Sequence, residues 1–345
     1  MSTQAAPSRS GAGVSSVRHL LALQELDAAQ IRALLAAARP YAEGGKGSDH
    51  GSESRATGSR ATGSRTAGGL PLTGRTVCTL FFEDSTRTRA SFTLAAMRLG
   101  ADVIDLSAGS SISKGETLVD TARNIEAMGV DAIVTRDAAA GSAHLIARSV
   151  RCAVINGGDG PHEHPTQGLL DIYTLAEAHG RLDTFDLTGL KVAIVGDIAT
   201  SRVARSNIAG MTKLGAEVTC VGPPNLCPPS IAALGDRVHH SHDLDAILPG
   251  MDAVMALRIQ LERGAMVASL AEYAAFYQLS DERAARMKPG AIVMHPGPMN
   301  RGVEIASSVA DGERSVVLRQ ASVGVAVRMG VLEGCVGGGA GAPGI

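Results

Sequence analysis

From residue 70 onward, short runs of consecutive apolar residues alternate with longer runs whose apolar positions recur every three or four residues. The first kind reads as strands buried on both faces, the second as helices that cover them. Strands are predicted at Val77–Phe82, Val103–Leu106, Ala132–Thr135 and Ala153–Asn156, with helices over Thr86–Leu99, Thr117–Met128 and Ala143–Val150 between them. A longer helix, Pro165–Ala178, then leads to a second series. Its strands are Lys191–Val195, Glu217–Val221, Ala253–Leu257 and Ala291–Met294, and its helices are Val203–Leu214, Asp243–Leu248 and Asp281–Met287. Strand–helix alternation builds parallel sheets covered on both faces. The fold expected is therefore α/β: two doubly wound parallel-sheet domains joined by a helix, with the active site in the cleft. Upstream, Arg18–Arg39 has helical spacing and Pro40 is expected to stop it. Val323–Leu332 reads as a last helix that packs back on this first one.

Three stretches break the pattern. Residues 1–17 read as an unstructured leader and 335–345 as a flexible, glycine-rich tail. Residues 43–69 are low complexity, with ATGSR repeated at Ala56–Arg60 and Ala61–Arg65, and read as a flexible surface insertion. The globular part divides into residues 18–179, completed by a C-terminal helix over 319–334, and residues 180–318.

Composition narrows the chemistry. The 345 residues carry 32 basic and 34 acidic side chains, a net charge of −2. That balance offers no electrostatic footprint for nucleic acid or an anionic membrane. Trp is absent, so a base-stacking surface is not expected. No apolar run is long enough to span a bilayer, and no apolar segment of a secretory signal opens the chain. The first 24 residues lack acidic side chains and faintly resemble a transit peptide, a composition shared with any disordered leader. A cytoplasmic location is expected. Cys78, Cys152, Cys220, Cys227 and Cys335 are scattered and read as reduced thiols.

The strongest local signal is Phe81-Phe82-Glu83-Asp84-Ser85-Thr86-Arg87-Thr88-Arg89. A buried strand ends and a helix begins at a cluster of hydroxyls and guanidiniums. Free N–H groups and the positive end of the helix dipole make that junction a cradle for phosphate, although a plain N-cap with a solvated basic face would read the same way. No G-x-G-x-x-G or Walker A run follows a strand, which argues against a dinucleotide or P-loop enzyme. A second signal, His162-Glu163-His164-Pro165-Thr166-Gln167, follows Gly157–Gly160 at a sheet edge, where α/β sites lie. His164 could donate to a carbonyl oxygen and Gln167 could read an amide. His162 and His164 offer two metal ligands without a clear third, so no metal is assigned. His239, His240 and His242 read as an exposed loop cluster.

These runs, with Lys114-Gly115-Glu116-Thr117, Val130–Arg136, Leu257–Gln260, Glu262-Arg263 and His295-Pro296-Gly297-Pro298, resemble the aspartate carbamoyltransferase catalytic chains of the aspartate/ornithine carbamoyltransferase superfamily in order and spacing from Arg18 to Leu332. The resemblance implies transfer of a carbamoyl group from carbamoyl phosphate to L-aspartate, the committed step of pyrimidine biosynthesis, without a cofactor. It implies that the first domain binds carbamoyl phosphate and the second aspartate. Carried over, Ser85, Thr86, Arg87 and Thr88 hold the phosphate, and Arg136 reaches both phosphate and carbonyl oxygen. Thr88, Arg136 and His164 surround that oxygen. Gln167 and the backbone carbonyls of Pro296 and Gly297 accept from the carbamoyl NH2. Arg202, Arg258 and Gln260 bind the aspartate carboxylates. Ser110 and Lys114 lie on a loop that reaches a neighbouring subunit's site in the family. A homotrimer or dimer of trimers is implied, with a regulatory chain or dihydroorotase as possible partners.

Asp84, Asp137 and Gly297 depart from residues common in the family. Two other readings compete. An ornithine carbamoyltransferase would carry a cysteine in the His295–Pro298 run, which is absent here. A non-catalytic scaffold would have lost some of Arg87, Lys114, Arg136, His164 or Arg258, and all are present.

Overall fold

The computed structural model describes residues 17–43, 69–107, 115–260, 267 and 269–337. The leader up to residue 16, nearly all of the 43–69 insertion, the tail from residue 338, Ser110, Lys114 and the Glu262-Arg263 pair lie outside the described residues.

The first sheet comprises β1 (Thr76–Phe81), β2 (Asp102–Ser107), β3 (Ala132–Asp137) and β4 (Ala153–Asp159) in the order β2-β1-β3-β4, all parallel. Its helices are α1 (Ala28–Glu43), α2 (Thr86–Arg98), α3 (Leu118–Ala127), α4 (Ser142–Ala147) and α5 (Pro165–Ala178). The second sheet has β5 (Lys191–Val195), β6 (Glu217–Val221), β7 (Val238–Ser241), β8 (Ala253–Ala256) and β9 (Ile292–Met294) in the order β7-β6-β5-β8-β9, again all parallel. With it go α6 (Arg202–Lys213), α7 (Leu244–Ile247), α8 (Leu270–Tyr277), α9 (Asp281–Arg286), α10 (Ser307–Ala310) and α11 (Val317–Leu332). The central strands are apolar on both faces because helices cover both sides: Val77, Cys78, Leu80, Ile133, Val134, Val192, Ile194 and Val254 are all buried. Helix α11 returns to the first domain and packs against α1, α2 and α5, while α5 packs against α6 of the second.

Several local readings are corrected. Residues 18–27 are not helical. Leu20 lies in parallel register against Ile155 on the free edge of β4, with Leu20 N donating to Val154 O and Asn156 N to Leu20 O, both at 2.9 Å. The helix starts at a reciprocal cap: Asp27 Oδ1 accepts from Gln30 N (2.8 Å), and Gln30 Oε1 accepts from Asp27 N (2.9 Å). Pro40 does not stop this helix; it sits exposed in the last turns, which run on to Glu43. His239 and His240 belong to the edge strand β7 rather than a loop, with exposed side chains, while His242 Nδ1 lies 2.8 Å from Gly222 O. Helix α8 had no counterpart in the sequence reading. The first residues of the assigned tail close α11 in a wide turn, with Cys335 and Val336 buried.

Candidate active site

The phosphate-cradle motif lies where β1 gives way to α2. Ser85 is the N-cap residue in extended conformation, and its hydroxyl makes no capping bond. The Ser85 hydroxyl is thus left for a ligand, beside the orphan N–H groups of the first helical turn. Thr86 and Arg87 are exposed, Thr88 is buried, and its Oγ1 lies 3.4 Å from His164 Nε2. Asp84 points to solvent, so its charge does not enter the cradle. Asp137 is occupied locally, accepting from Ala139 N at 2.6 Å.

Four guanidiniums approach this point from both domains. Arg136, next to last in β3, donates from Nη1 to Gly157 O (3.0 Å). Arg202, the first residue of α6, donates from Nη2 to Glu83 Oε2 at 2.7 Å, and Arg136 Nε lies 3.4 Å from the same oxygen. Burial, then Arg202 and Arg87, push the Arg136 guanidinium down to about 9. Burial brings Arg202 to about 10, with Asp159 opposing the drop. Burial and the nearby Arg258 lower Arg87 as well. Arg202 Nη1 is buried without a partner. The cleft therefore gathers positive charge, with the Glu83 carboxylate in contact with two of its arginines and Asp159 acting on Arg202, and its cations lie close enough to repel each other. An anion placed among them relieves both the repulsion and the unmade hydrogen bonds.

Glycine makes this crowding possible. Gly158 sits at φ +117°, and a Cβ there would lie 2.9 Å from Arg136 Nη1 and 3.2 Å from Arg202 Nε. Gly297, at φ +66°, would place a Cβ 3.3 Å from Arg87 Cζ. The 295–298 turn thereby reaches Arg87 from the second domain. It is held by His295, whose Nδ1 accepts from Gly297 N (2.8 Å) while Nε2 faces buried Glu304 at 3.2 Å.

His164 caps α5 and is buried; burial, then Arg136, Arg328 and Arg202, drive its imidazole well below its ordinary value of 6.5. It is therefore neutral at physiological pH, a hydrogen-bond donor rather than a cation. Its backbone N–H donates to Ser206 Oγ (2.9 Å), which donates to Glu163 Oε2 (2.7 Å). Glu163 also accepts from Leu23 N and Gln24 N, tying the N-terminal segment to the site. Gln167 is buried in the first turn of α5. Arg258 and Gln260 follow β8 and are half-buried.

His162 and His164, to which the sequence assigned no metal, do not converge on a common site. Among the described residues His162 groups instead with Asp159 and His144, and His164 is not in that group. Asp159 already accepts from Gly141 N, Asn156 Nδ2 and Glu163 N, and His144 Nε2 lies 2.7 Å from Glu25 Oε1, so the cluster is accounted for as a loop anchor. A separate cavity of about 560 Å³, walled by Pro223, Pro224, Tyr273, Phe276 and Tyr277, contains none of the predicted site residues. Glu83 was missed, although its place in the Phe81–Arg89 run was a usable signal. Asp171, Gln320 and Arg328 carried no local signal.

Comparison with known proteins agrees with this geometry. Residues 18–177 match the carbamoyl-P binding domain of aspartate/ornithine carbamoyltransferase, and residues 188–335 match the Asp/Orn binding domain. The aspartate carbamoyltransferase catalytic subunit of Myxococcus xanthus is 51% identical over 322 residues, covering 92% of this chain and 99% of that one. Aspartate transcarbamoylase from Trypanosoma cruzi, solved with carbamoyl aspartate and phosphate, superposes with a TM-score of 0.76 at 27% identity, covering 92% of this chain and 96% of that one. Ornithine carbamoyltransferase from Gloeobacter violaceus gives a TM-score of 0.73 at 28% identity, over 93% and 99%.

Proposed function

The chain belongs to the aspartate/ornithine carbamoyltransferase family, and from that premise we propose that it converts carbamoyl phosphate and L-aspartate to N-carbamoyl-L-aspartate and phosphate. The observation that carries this reading is the meeting of Arg87, Arg136, Arg202 and Arg258 beside a neutral, buried His164. Both substrates are polyanions, and such a set suits a phosphate together with two carboxylates. Residues 18–179 with the helix over 319–334 bind carbamoyl phosphate, and residues 180–318 bind aspartate.

The division of labour follows from the chemistry. Ser85, Thr86, Arg87 and Thr88 hold the phosphate. Carbamoyl phosphate is a mixed anhydride and needs no covalent activation by the enzyme. The amine of aspartate attacks the carbonyl carbon, and charge grows on the carbonyl oxygen. Thr88, Arg136 and His164 donate to that oxygen, which favours the transition state over the ground state. Gln167 Oε1 and the carbonyls of Pro296 and Gly297 accept from the NH2. Arg202, Arg258 and Gln260 hold the aspartate carboxylates so that the amine is in contact with the carbon. The C–O bond to phosphate breaks, and the leaving phosphate takes the amine proton. A product assay tests the reading: carbamoyl aspartate forms from aspartate, and ornithine is a much poorer acceptor. Preference for ornithine would overturn it.

Ser110 and Lys114 are assigned to a neighbouring subunit's site, in a homotrimer or a dimer of trimers. Arg136→Ala and Lys114→Ala variants, each inactive alone, test this when reassembled as mixed rings. Every mixed ring of three has one boundary with both residues intact, so random equal mixing restores roughly a quarter of wild-type activity. No recovery in verified mixed rings would place Lys114 in its own subunit. A regulatory chain or dihydroorotase is the class of partner to look for in the native complex. Pyrimidine biosynthesis in the cytoplasm is the setting we assign. No helix among the described residues is long and apolar enough to cross a membrane.

A further inference from the structure

Behind the cleft lies a buried carboxylate that the proposed chemistry does not use. Asp171, on α5, has no exposed surface. Its Oδ1 accepts from Gln167 Nε2 (2.9 Å) and Gln320 Nε2 (2.7 Å), and its Oδ2 accepts from Asn207 Nδ2 (2.7 Å). The three carboxamides come from α5, α11 and α6, so one carboxylate joins elements of both domains. An ionised carboxylate can only accept, so each amide must turn its NH2 toward it. The cost to Asn207 is visible: its Oδ1 is buried without a partner. Gln320 Oε1, facing away from Asp171, accepts from His295 N at 3.0 Å. Arg328, buried on α11 with its guanidinium over the Phe92 ring, supplies a compensating charge. Burial raises the Asp171 carboxyl to about 6, while the three amides and Arg328 pull it down, so the acceptor-only form predominates at neutral pH.

We propose that Asp171 is a positioning residue that sets specificity for the carbamoyl NH2, by fixing the amide of Gln167 directly and the 295–297 turn through Gln320. The inference rests on the proposed function, in which Gln167 Oε1 and the carbonyls of Pro296 and Gly297 accept from that NH2. With Nε2 held by Asp171, Gln167 turns its acceptor oxygen away from the carboxylate. The same carboxylate orients Gln320, whose oxygen holds the backbone of His295 and with it the carbonyls that follow. A carboxamide free to flip would present donors to a donor, and the preference for NH2 over CH3 would fall.

The test compares carbamoyl phosphate with acetyl phosphate, which keeps the phosphate and carbonyl but carries CH3. The readout is the Ki of acetyl phosphate as a competitor divided by the KM of carbamoyl phosphate. In Asp171→Leu, close in size but without an acceptor, this ratio falls by about tenfold or more while the KM for aspartate stays within about twofold. In Asp171→Asn the ratio is restored to within about twofold of wild type. There the Asn oxygen still serves both glutamines, and Asn207 can turn its unpartnered Oδ1 to the new NH2, giving up the bond from its Nδ2 to Val203 O. If the Leu variant fails to fold, Gln320→Met carries the test, with a fall of about threefold or more expected. Equal weakening of both ligands, or an unchanged ratio in whichever of these two variants folds, overturns the proposal. Absence of carbamoyl transfer to aspartate by the wild type would instead overturn the function on which it rests.

Discussion

Replacing Arg136 by methionine should make the unliganded protein more stable and weaken its response to phosphate. The Arg136 side chain is 11% exposed and lies near Arg202 and Arg87. Its drop from 12.5 to about 9 corresponds to about 5 kcal/mol against the charged form in the native state. Methionine removes that penalty but also loses the 3.0 Å bond to Gly157 O and the contact with Glu83. Those are worth about 2–3 kcal/mol together, leaving a net gain of about 2 kcal/mol. With an unfolding entropy near 2.1 cal/mol/K per residue, the gain raises Tm by about 3 °C for a chain of this length. A basic group with a depressed native pKa carries its full penalty below that pKa, and the penalty fades as pH rises above it. The advantage of the variant is therefore constant from pH 6 to 8 and shrinks above pH 9. Inorganic phosphate at 100 times its Kd for the wild type stabilises the wild type by about 2.7 kcal/mol and should stabilise the variant, which keeps Arg87 and the helix N-terminus but has one cation fewer, by distinctly less. Thermal melts of both proteins, with and without phosphate, decide the matter. A variant that melts below the wild type, or that keeps the full phosphate shift, refutes the picture of a strained cation awaiting an anion.

Other substitutions separate the two substrates and the protonation states. Arg258→Ala should lower kcat/KM for aspartate by an amount on the order of 2–4 kcal/mol, with carbamoyl phosphate affinity little changed; parallel losses for both would count against its assignment to aspartate. His164→Asn should lower kcat by about 100-fold while leaving the shape of the pH–rate profile between pH 6 and 8 unaltered, because burial and three arginines already keep the imidazole neutral there. Loss of an acidic limb in that variant would show that His164 titrates during turnover.

The sheets were legible because their central strands are buried on both faces and so read as unbroken apolar runs. Strand β7 was not, because Val-His-His-Ser lies on a sheet edge, where exposed polar side chains cost nothing. The segment 18–27 misled for the opposite reason. Its leucines fall at helical spacing, but its backbone is claimed by the edge of β4, by the Glu163 carboxylate and by Lys213 Nζ, which donates to the carbonyls of Leu23, Gln24 and Leu26. Those partners lie more than 130 positions away, and no local pattern encodes them. Within the site, hydroxyls and guanidiniums at a strand–helix junction announced themselves. The carboxylates that hold such groups in place did not, since Asp171 and Gln320 are 149 residues apart and each alone is an ordinary helical residue.

The arrangement of these carboxylates carries a physical lesson about the cleft. Glu83 is partly exposed and touches two of the arginines directly, so it competes with any anion that enters. Asp171 is fully buried and touches none of the proposed ligand-binding atoms except through carboxamides. A negative charge placed among the arginines would cancel the field that attracts the substrates. Placed behind a layer of neutral amides, it leaves that field largely in force and acts on geometry instead. The cationic cleft then supplies affinity for phosphate and carboxylates, which many anions share. In the proposed function, discrimination falls to uncharged groups, Gln167 and the backbone of Pro296 and Gly297, whose weak hydrogen bonds are selective only if they cannot turn. A fixed amide makes a flipped, accommodating state costly, and a buried ionised carboxylate fixes it because it accepts and never donates.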